Sequence, residues 1–298
     1  MPPRGSAEVE VSRIHPLFIP DAAQAAPGPL AGRLRSERPR PHPLKDAMRR
    51  LLLPALLSLG LSAGCKQDQP PAPGAPPVPV PTIAAAPAKP PAPLGATGGV
   101  KGSVTFAGEA PAPKPLDTAL DPACSAPLAD ETVLVDAGRL ANVMVRLKGA
   151  LPEVAVPAEP AVMDQTGCAY RPRVLGAMAG QTLQVRNSDG TLHNVHSYAG
   201  ARTLFNRAQP PGARAMDTTF PSGTEVVRLK CDVHPWMLGW VVVAPHPWFA
   251  VSGTDGSFAI ENAPVGTWEI EAWHESLGTR TGTVTITEGG TAEVRFEY

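Results

Sequence analysis

From Gly99 onward, apolar residues recur at every second position in short runs, and this period of two restricts the fold more than any other feature of the chain. Val100 to Phe106 alternates, Val143 to Leu147 is a second short apolar run, and Leu183-Gln184-Val185 leads into a turn at Asn187-Ser188-Asp189-Gly190. Glu225 to Cys231 places Val227, Leu229 and Cys231 on one face, with Arg228 and Lys230 on the other. Nearer the end, Trp268, Ile270 and Ala272 alternate with Glu269 and Glu271, Val284 and Ile286 with threonines, and Val294, Phe296 and Tyr298 with charged residues. Asp255-Gly256 is a hairpin signal between Phe249-Ala250-Val251 and Ser257 to Ile260. No stretch holds the helical period for more than about two turns, and 37 prolines with 28 glycines exceed a fifth of the 298 residues. The expected fold class is all-β: antiparallel sheets with one wet face, packed as a sandwich.

The first third of the chain has a different character. Residues 1–47 carry prolines, arginines and alanines without apolar periodicity and are expected to be disordered or to precede the true start at Met48. Met48-Arg49-Arg50, the apolar run Leu51 to Leu61, and Ser62-Ala63-Gly64-Cys65 have the order of an export signal over 48–65. The apolar run is shorter than the about 20 residues a membrane span needs. Its small-small-Cys ending resembles a bacterial lipobox, which implies acylation of Cys65 and attachment to a lipid bilayer; Ser62 stands where such boxes more often carry Leu. Lys66 is not the Asp that retains lipoproteins on the inner membrane of Gram-negative bacteria, so a periplasmic protein held on the outer membrane is expected. Residues 66–97, rich in Pro and Ala, form a semi-rigid linker. A formal net charge of -1 supplies no field for nucleic acid, and none is expected as a partner.

Chemistry concentrates in Lys230 to Met237, where Cys231, His234 and Met237 follow a C-x2-H-x2-M spacing at the end of a strand. A thiolate, an imidazole and a thioether in one tight loop suit copper, and a second histidine from another strand should complete the set. His193 follows the Asn187 to Gly190 turn at a strand edge and is the candidate. His196 is expected to be exposed or hydrogen-bonded, and His246 and His274 to serve packing or surface roles.

His193-Asn194-Val195-His196, followed by Cys231-x2-His234-Pro235-Trp236-Met237, resembles the amicyanin and plastocyanin-like cupredoxins, the type 1 blue copper proteins. The resemblance implies a Greek-key β-sandwich over about 98–245 that carries one electron at a time. One copper ion would be held by His193, Cys231 and His234 in a plane, with Met237 as a weak axial ligand. It also implies that His234 lies in an exposed loop, its outer edge the electron port, with Pro235, Trp236 and Leu238 forming an apolar docking patch for a transient redox partner. Residues 246–298 resemble the transthyretin-like regulatory sandwich found beside carboxypeptidases, through Asp255 to Phe258 and Pro264 to Trp268. Strands from 99–149 can complete that second sandwich, so tandem and nested arrangements both remain open.

With Cys65 acylated and Cys231 on the metal, Cys124 and Cys168 remain, and an exported protein commonly oxidises such a pair. One disulfide between them is expected, with two separate buried thiols as the alternative. Multicopper oxidases and copper nitrite reductases mark their further sites with His-x-His pairs or a His beside the Cys. This chain has Asp232 beside Cys231, which favours a carrier over an enzyme. Copper storage or delivery, or a non-redox binding role at the cell envelope, is the alternative function.

Overall fold

The computed structural model describes residues 95–298. The upstream segment, the expected export signal with Cys65, and all but the last residues of the expected linker lie outside them. Eighteen strands and a single 3-10 turn, Pro122–Cys124, account for the regular structure of the described residues.

Four strands open the fold: β1 (Thr97–Thr105), β2 (Val135–Asp136), β3 (Arg139–Leu140) and β4 (Met144–Lys148). The middle of the chain supplies β5 (Ala161–Thr166), β6 (Ala169–Arg171), β7 (Val174–Met178), β8 (Thr182–Asn187), β9 (His193–Ala199), β10 (Arg202–Gln209), β11 (Met216–Thr219), β12 (Val226–Lys230) and β13 (Leu238–Ala244). Five more close it: β14 (Phe249–Val251), β15 (Ser257–Pro264), β16 (Gly266–His274), β17 (Gly278–Ile286) and β18 (Thr291–Glu297).

These strands form two sandwiches. In the first, a sheet ordered β15-β1-β3-β2, with β18 also paired to β1, faces a sheet ordered β14-β4-β16-β17. In the second, β10-β9-β12-β13-β7 faces β11-β8-β5-β6. The early strands β1 and β4 therefore share sheets with strands from the end of the chain, and residues 161–244 form the second sandwich between them. Each sandwich has its own core, as alternation requires. Val100, Val104, Leu147, Ile270, Val284 and Phe296 fill the first, and Met163, Tyr170, Leu183, Val227, Leu229 and Val241 the second.

Phe249 to Val251 and Ser257 to Ile260 were expected to pair as a hairpin across Asp255-Gly256, but they lie in opposite sheets of the first sandwich: β14 pairs with β4, and β15 with β1. The turn is genuine, with the Gly253 and Ser257 backbones bonded and Gly256 at φ +71°. A Cβ on Gly256 would lie 2.5 Å from the carbonyl oxygen of Val104. The turn signal is thus real, yet the chain uses it to cross between sheets, because alternation alone does not name a strand's partner.

Where the sandwiches meet, Met144, Val174 and Val242 are buried together, with Trp240, Phe249 and Trp273 packed against them. Gly176 of β7 is tight against this seam, since a Cβ there would come 2.5 Å from the Phe249 ring. Beside it, Arg173 and Glu275 form a nearly buried ion pair, and the Trp240 indole N–H donates to Glu275 at 2.8 Å.

Candidate metal centre

Alternation in β12 sends Val227 and Leu229 into the second core, and Cys231, the next residue on that face, is fully buried just past the strand end. The chain then makes a tight loop, in which the Met237 N–H donates to the His234 carbonyl (2.9 Å) and the Cys231 N–H to the Met237 carbonyl (3.3 Å). This folds His234 and Met237, both buried, back beside Cys231. β9 lies next to β12 in the same sheet, and its first residue, His193, meets the loop from the neighbouring strand.

The ligand atoms converge. Nδ1 of His193 lies 2.8 Å from Nδ1 of His234, and Sγ of Cys231 lies 3.9 Å from the first and 3.7 Å from the second. All three residues have no solvent exposure, and Cys231 is outside any disulfide. An ion bound at about 2.0–2.1 Å from nitrogen and about 2.3 Å from sulfur, as first-row metal ions commonly are, fits such a triangle. Met237 stands in the same core cluster as Cys231.

Each imidazole has a carboxylate behind it. His193 Nε2 donates to Asp189 Oδ2 at 2.9 Å, and His234 Nε2 donates to Asp121 Oδ2 at 3.0 Å. These bonds place the ring protons on Nε2 and turn two bare Nδ1 lone pairs toward each other at hydrogen-bond distance. Only a shared proton or a metal ion makes that contact favourable, and a thiol is the third group present. Burial lowers the pKa of His193, against the pull of Asp189, and keeps its Nδ1 free for a metal. Asp121 is held down to about 2, chiefly by the Thr191 hydroxyl, then by the Ala123 N–H and His234.

Asn194 ties the two ligand segments together. Its N–H points at Cys231 Sγ (3.5 Å), its side-chain carbonyl accepts from the Asp232 N–H (2.6 Å), and its amide donates to Asn206 and Asp232. His196 is partly exposed and bonded to Asp232 and Tyr198, as expected of a residue outside the ligand set. His246 and His274 are buried in or beside the first sandwich, away from the centre.

Cys124 and Cys168 form a disulfide with a Cα–Cα distance of 5.6 Å. Two further clusters of potential ligands, Asp121 with Cys124 and His234, and Cys168 with Asp189 and His193, contain these joined sulfurs and reduce to the carboxylates behind the histidines.

The outer edge of His234 is not exposed. The ring is fully buried, because the segment before β2 lays Asp121 across it and the disulfide fastens that segment to the turn before β6. Pro235 is exposed, and Trp236 and Leu238 are half-buried. Trp236 packs 5.1 Å from the His234 ring and donates to the Cys168 carbonyl. The exposed apolar side chains beside the centre are Leu120, Leu192 and Val233. Asp121 and Asp189 were missed as site residues in the sequence. Asp189 sits four residues before His193, a visible spacing hidden by its role in a turn, while Asp121 has no local signal beyond its closeness to Cys124.

No protein-family profile matches the chain, and no curated protein matches it. Among solved structures, a purple cupredoxin from Nitrosopumilus maritimus is 25% identical over 28% of this chain and 99% of its own, with a TM-score of 0.25. An oxidised amicyanin variant is 26% identical over 34% of this chain and 98% of its own, with a TM-score of 0.27. A copper-containing nitrite reductase from Thermus scotoductus is 18% identical over 33% of this chain and 25% of its own, with a TM-score of 0.26.

Proposed function

We propose that the chain is an exported, lipid-anchored carrier of single electrons, with one copper ion held by His193, Cys231 and His234 and weakly by Met237. The observation that carries this reading is the pair of facing Nδ1 atoms, 2.8 Å apart, with a buried thiol beside them. Two imidazoles and a soft sulfur suit copper, and the buried Met237 thioether fits the same preference. The bound ion would supply the one-electron couple. The chain's part is to hold its ligands still: Asp189 and Asp121 fix the imidazoles, Asn194 presents an N–H to the sulfur, and the surrounding core excludes water. A rigid donor set favours a carrier over a catalyst.

The partner is a redox protein that docks transiently on the face carrying Leu120, Leu192, Val233 and Pro235, with Trp236 beneath. Acylated Cys65 would tether the protein to the outer membrane, facing the periplasm. Copper delivery is distinguished by what the loaded protein does.

Adding Cu(II) to the purified protein should give intense thiolate-to-copper charge transfer in the visible spectrum and narrow copper hyperfine splitting in electron paramagnetic resonance. Cys231→Ser should abolish both. Reversible one-electron voltammetry supports a carrier, and transfer of Cu(I) to an acceptor apoprotein supports delivery. Colourless protein with no bound copper would sink the reading.

A further inference from the structure

The carboxylate behind His234 comes from a segment that the metal loop itself does not need. Residues 107–134 are largely without regular structure, yet they are pinned at Cys124 to Cys168. Three residues upstream of that anchor, Asp121 makes contacts that fix both of its carboxylate oxygens. Oδ1 accepts from the Ala123 N–H at 2.8 Å and so caps the 3-10 turn. Oδ2 accepts from the Thr191 hydroxyl at 2.6 Å and from His234 Nε2 at 3.0 Å. The Asp121 carbonyl accepts from the Cys124 N–H. The other half of the cystine is tied in the same way to the other histidine: Asp189, which accepts from His193, also accepts from the N–H groups of Gly167 and Cys168 at 2.7 and 2.8 Å.

We propose that Asp121 is a positioning residue for the metal centre, a clasp that keeps the His234 ring turned with Nδ1 toward Cys231 and that closes its outer edge to solvent. This rests on the copper reading above and adds to it a second duty for the disulfide-pinned segment. His234 sits in a short loop, and a fixed acceptor at Nε2 disfavours ring orientations that would turn Nδ1 away from Cys231. Thr191, next but one to His193, shares the same carboxylate oxygen and ties the clasp to both histidine segments.

Two substitutions separate this role from a merely structural one. Asp121→Ser retains a side-chain oxygen able to cap Ala123 but does not reach His234; Asp121→Asn keeps a single acceptor oxygen, which can take the His234 proton while the exposed Ala123 N–H turns to water. In the metal-free protein, the His234 Nε2 proton should exchange slowly with solvent and give a distinct nuclear magnetic resonance signal. It should vanish by fast exchange in Asp121→Ser and persist in Asp121→Asn. In the Cu(I)-loaded protein, a competing Cu(I) chelator should withdraw the metal about tenfold faster or more from Asp121→Ser than from the wild type, with Asp121→Asn close to wild type. A protected Nε2 proton in Asp121→Ser, or equal withdrawal rates in all three proteins, overturns the proposal. If the protein binds no copper, the function proposed above fails, while the proton measurement still decides for or against the clasp.

Discussion

His274 lies at the end of β16 with its Nδ1 accepting from the backbone N–H groups of Ser276 and Leu277, so its proton sits on Nε2, where it has no partner. Burial, with Arg173 nearby, lowers its pKa to about 4. Protonating Nδ1 would break both turn bonds and add a charge to the interior. The sign follows from linkage: between pH about 6.5 and about 4 the unfolded chain binds this proton and the folded chain does not, so stability falls as the pH falls through that window. Above it the contribution is complete. His246, also lowered by burial, acts in the same direction. Urea unfolding at pH 7.5 and pH 4.5 should show His274→Gln losing about 2 kcal/mol less than wild type over that interval. Equal losses would mean that His274 does not titrate in this way. At this scale the cluster of His193, Cys231 and His234 was legible as a candidate site, because Cys231, His234 and Met237 are close in sequence and His193 follows a turn. The clasp was not: Asp121 lies far from every ligand in sequence, and chain folding alone brings it to His234.

Among the elements, β9 and β12 carry most of the site, and their alternation was readable directly: Val227, Leu229 and Cys231 face inward as the period of two requires. The segment between β1 and β2 has no such period, and the disulfide does for it what strand pairing does elsewhere. Cys124 and Cys168 are 44 residues apart in sequence. Closing a loop of that length removes unfolded-state entropy worth about 4 kcal/mol. The Cys124→Ala, Cys168→Ala double variant should therefore unfold at clearly lower urea concentration, by about 2–4 kcal/mol, while circular dichroism keeps its β character. Unchanged stability would mean that the segment is held by its hydrogen bonds alone. Strand partners were the weak point of the sequence reading: Asp255-Gly256 marks a turn in both views, but only packing decides that it joins two sheets.

At the scale of the whole molecule, the two sandwiches are joined by an apolar seam and one buried ion pair. Glu275 accepts from Arg173 and from the Trp240 indole, and Trp240 packs edge-on against Trp273 at 5.7 Å. Removing one member leaves the other charge buried and alone, which costs about 3–5 kcal/mol. Calorimetry should show Glu275→Ala melting well below wild type, with a broader or more clearly divided transition than the intact protein gives. A sharp, unshifted transition would mean that the pair contributes nothing to the junction. The all-β class followed from alternation, but the pairing of β4 with β16 joins residues 125 apart in sequence, as Arg146 and Glu271 are, and leaves no mark on local pattern.

β4 and β14 run side by side, with Val145 opposite Ala250 and the Leu147 N–H bonded to the Trp248 carbonyl. The chain thus leaves the outer sandwich and returns to it through a single doorway, and the fully buried residues of that sandwich all lie on the near side of it. A two-residue Asn-Gly turn from Lys148 to Pro247 would bridge the opening. The half that holds the candidate metal centre is in that sense a cassette, carried by a host whose own core closes without it and which could lend the same doorway to a different cargo.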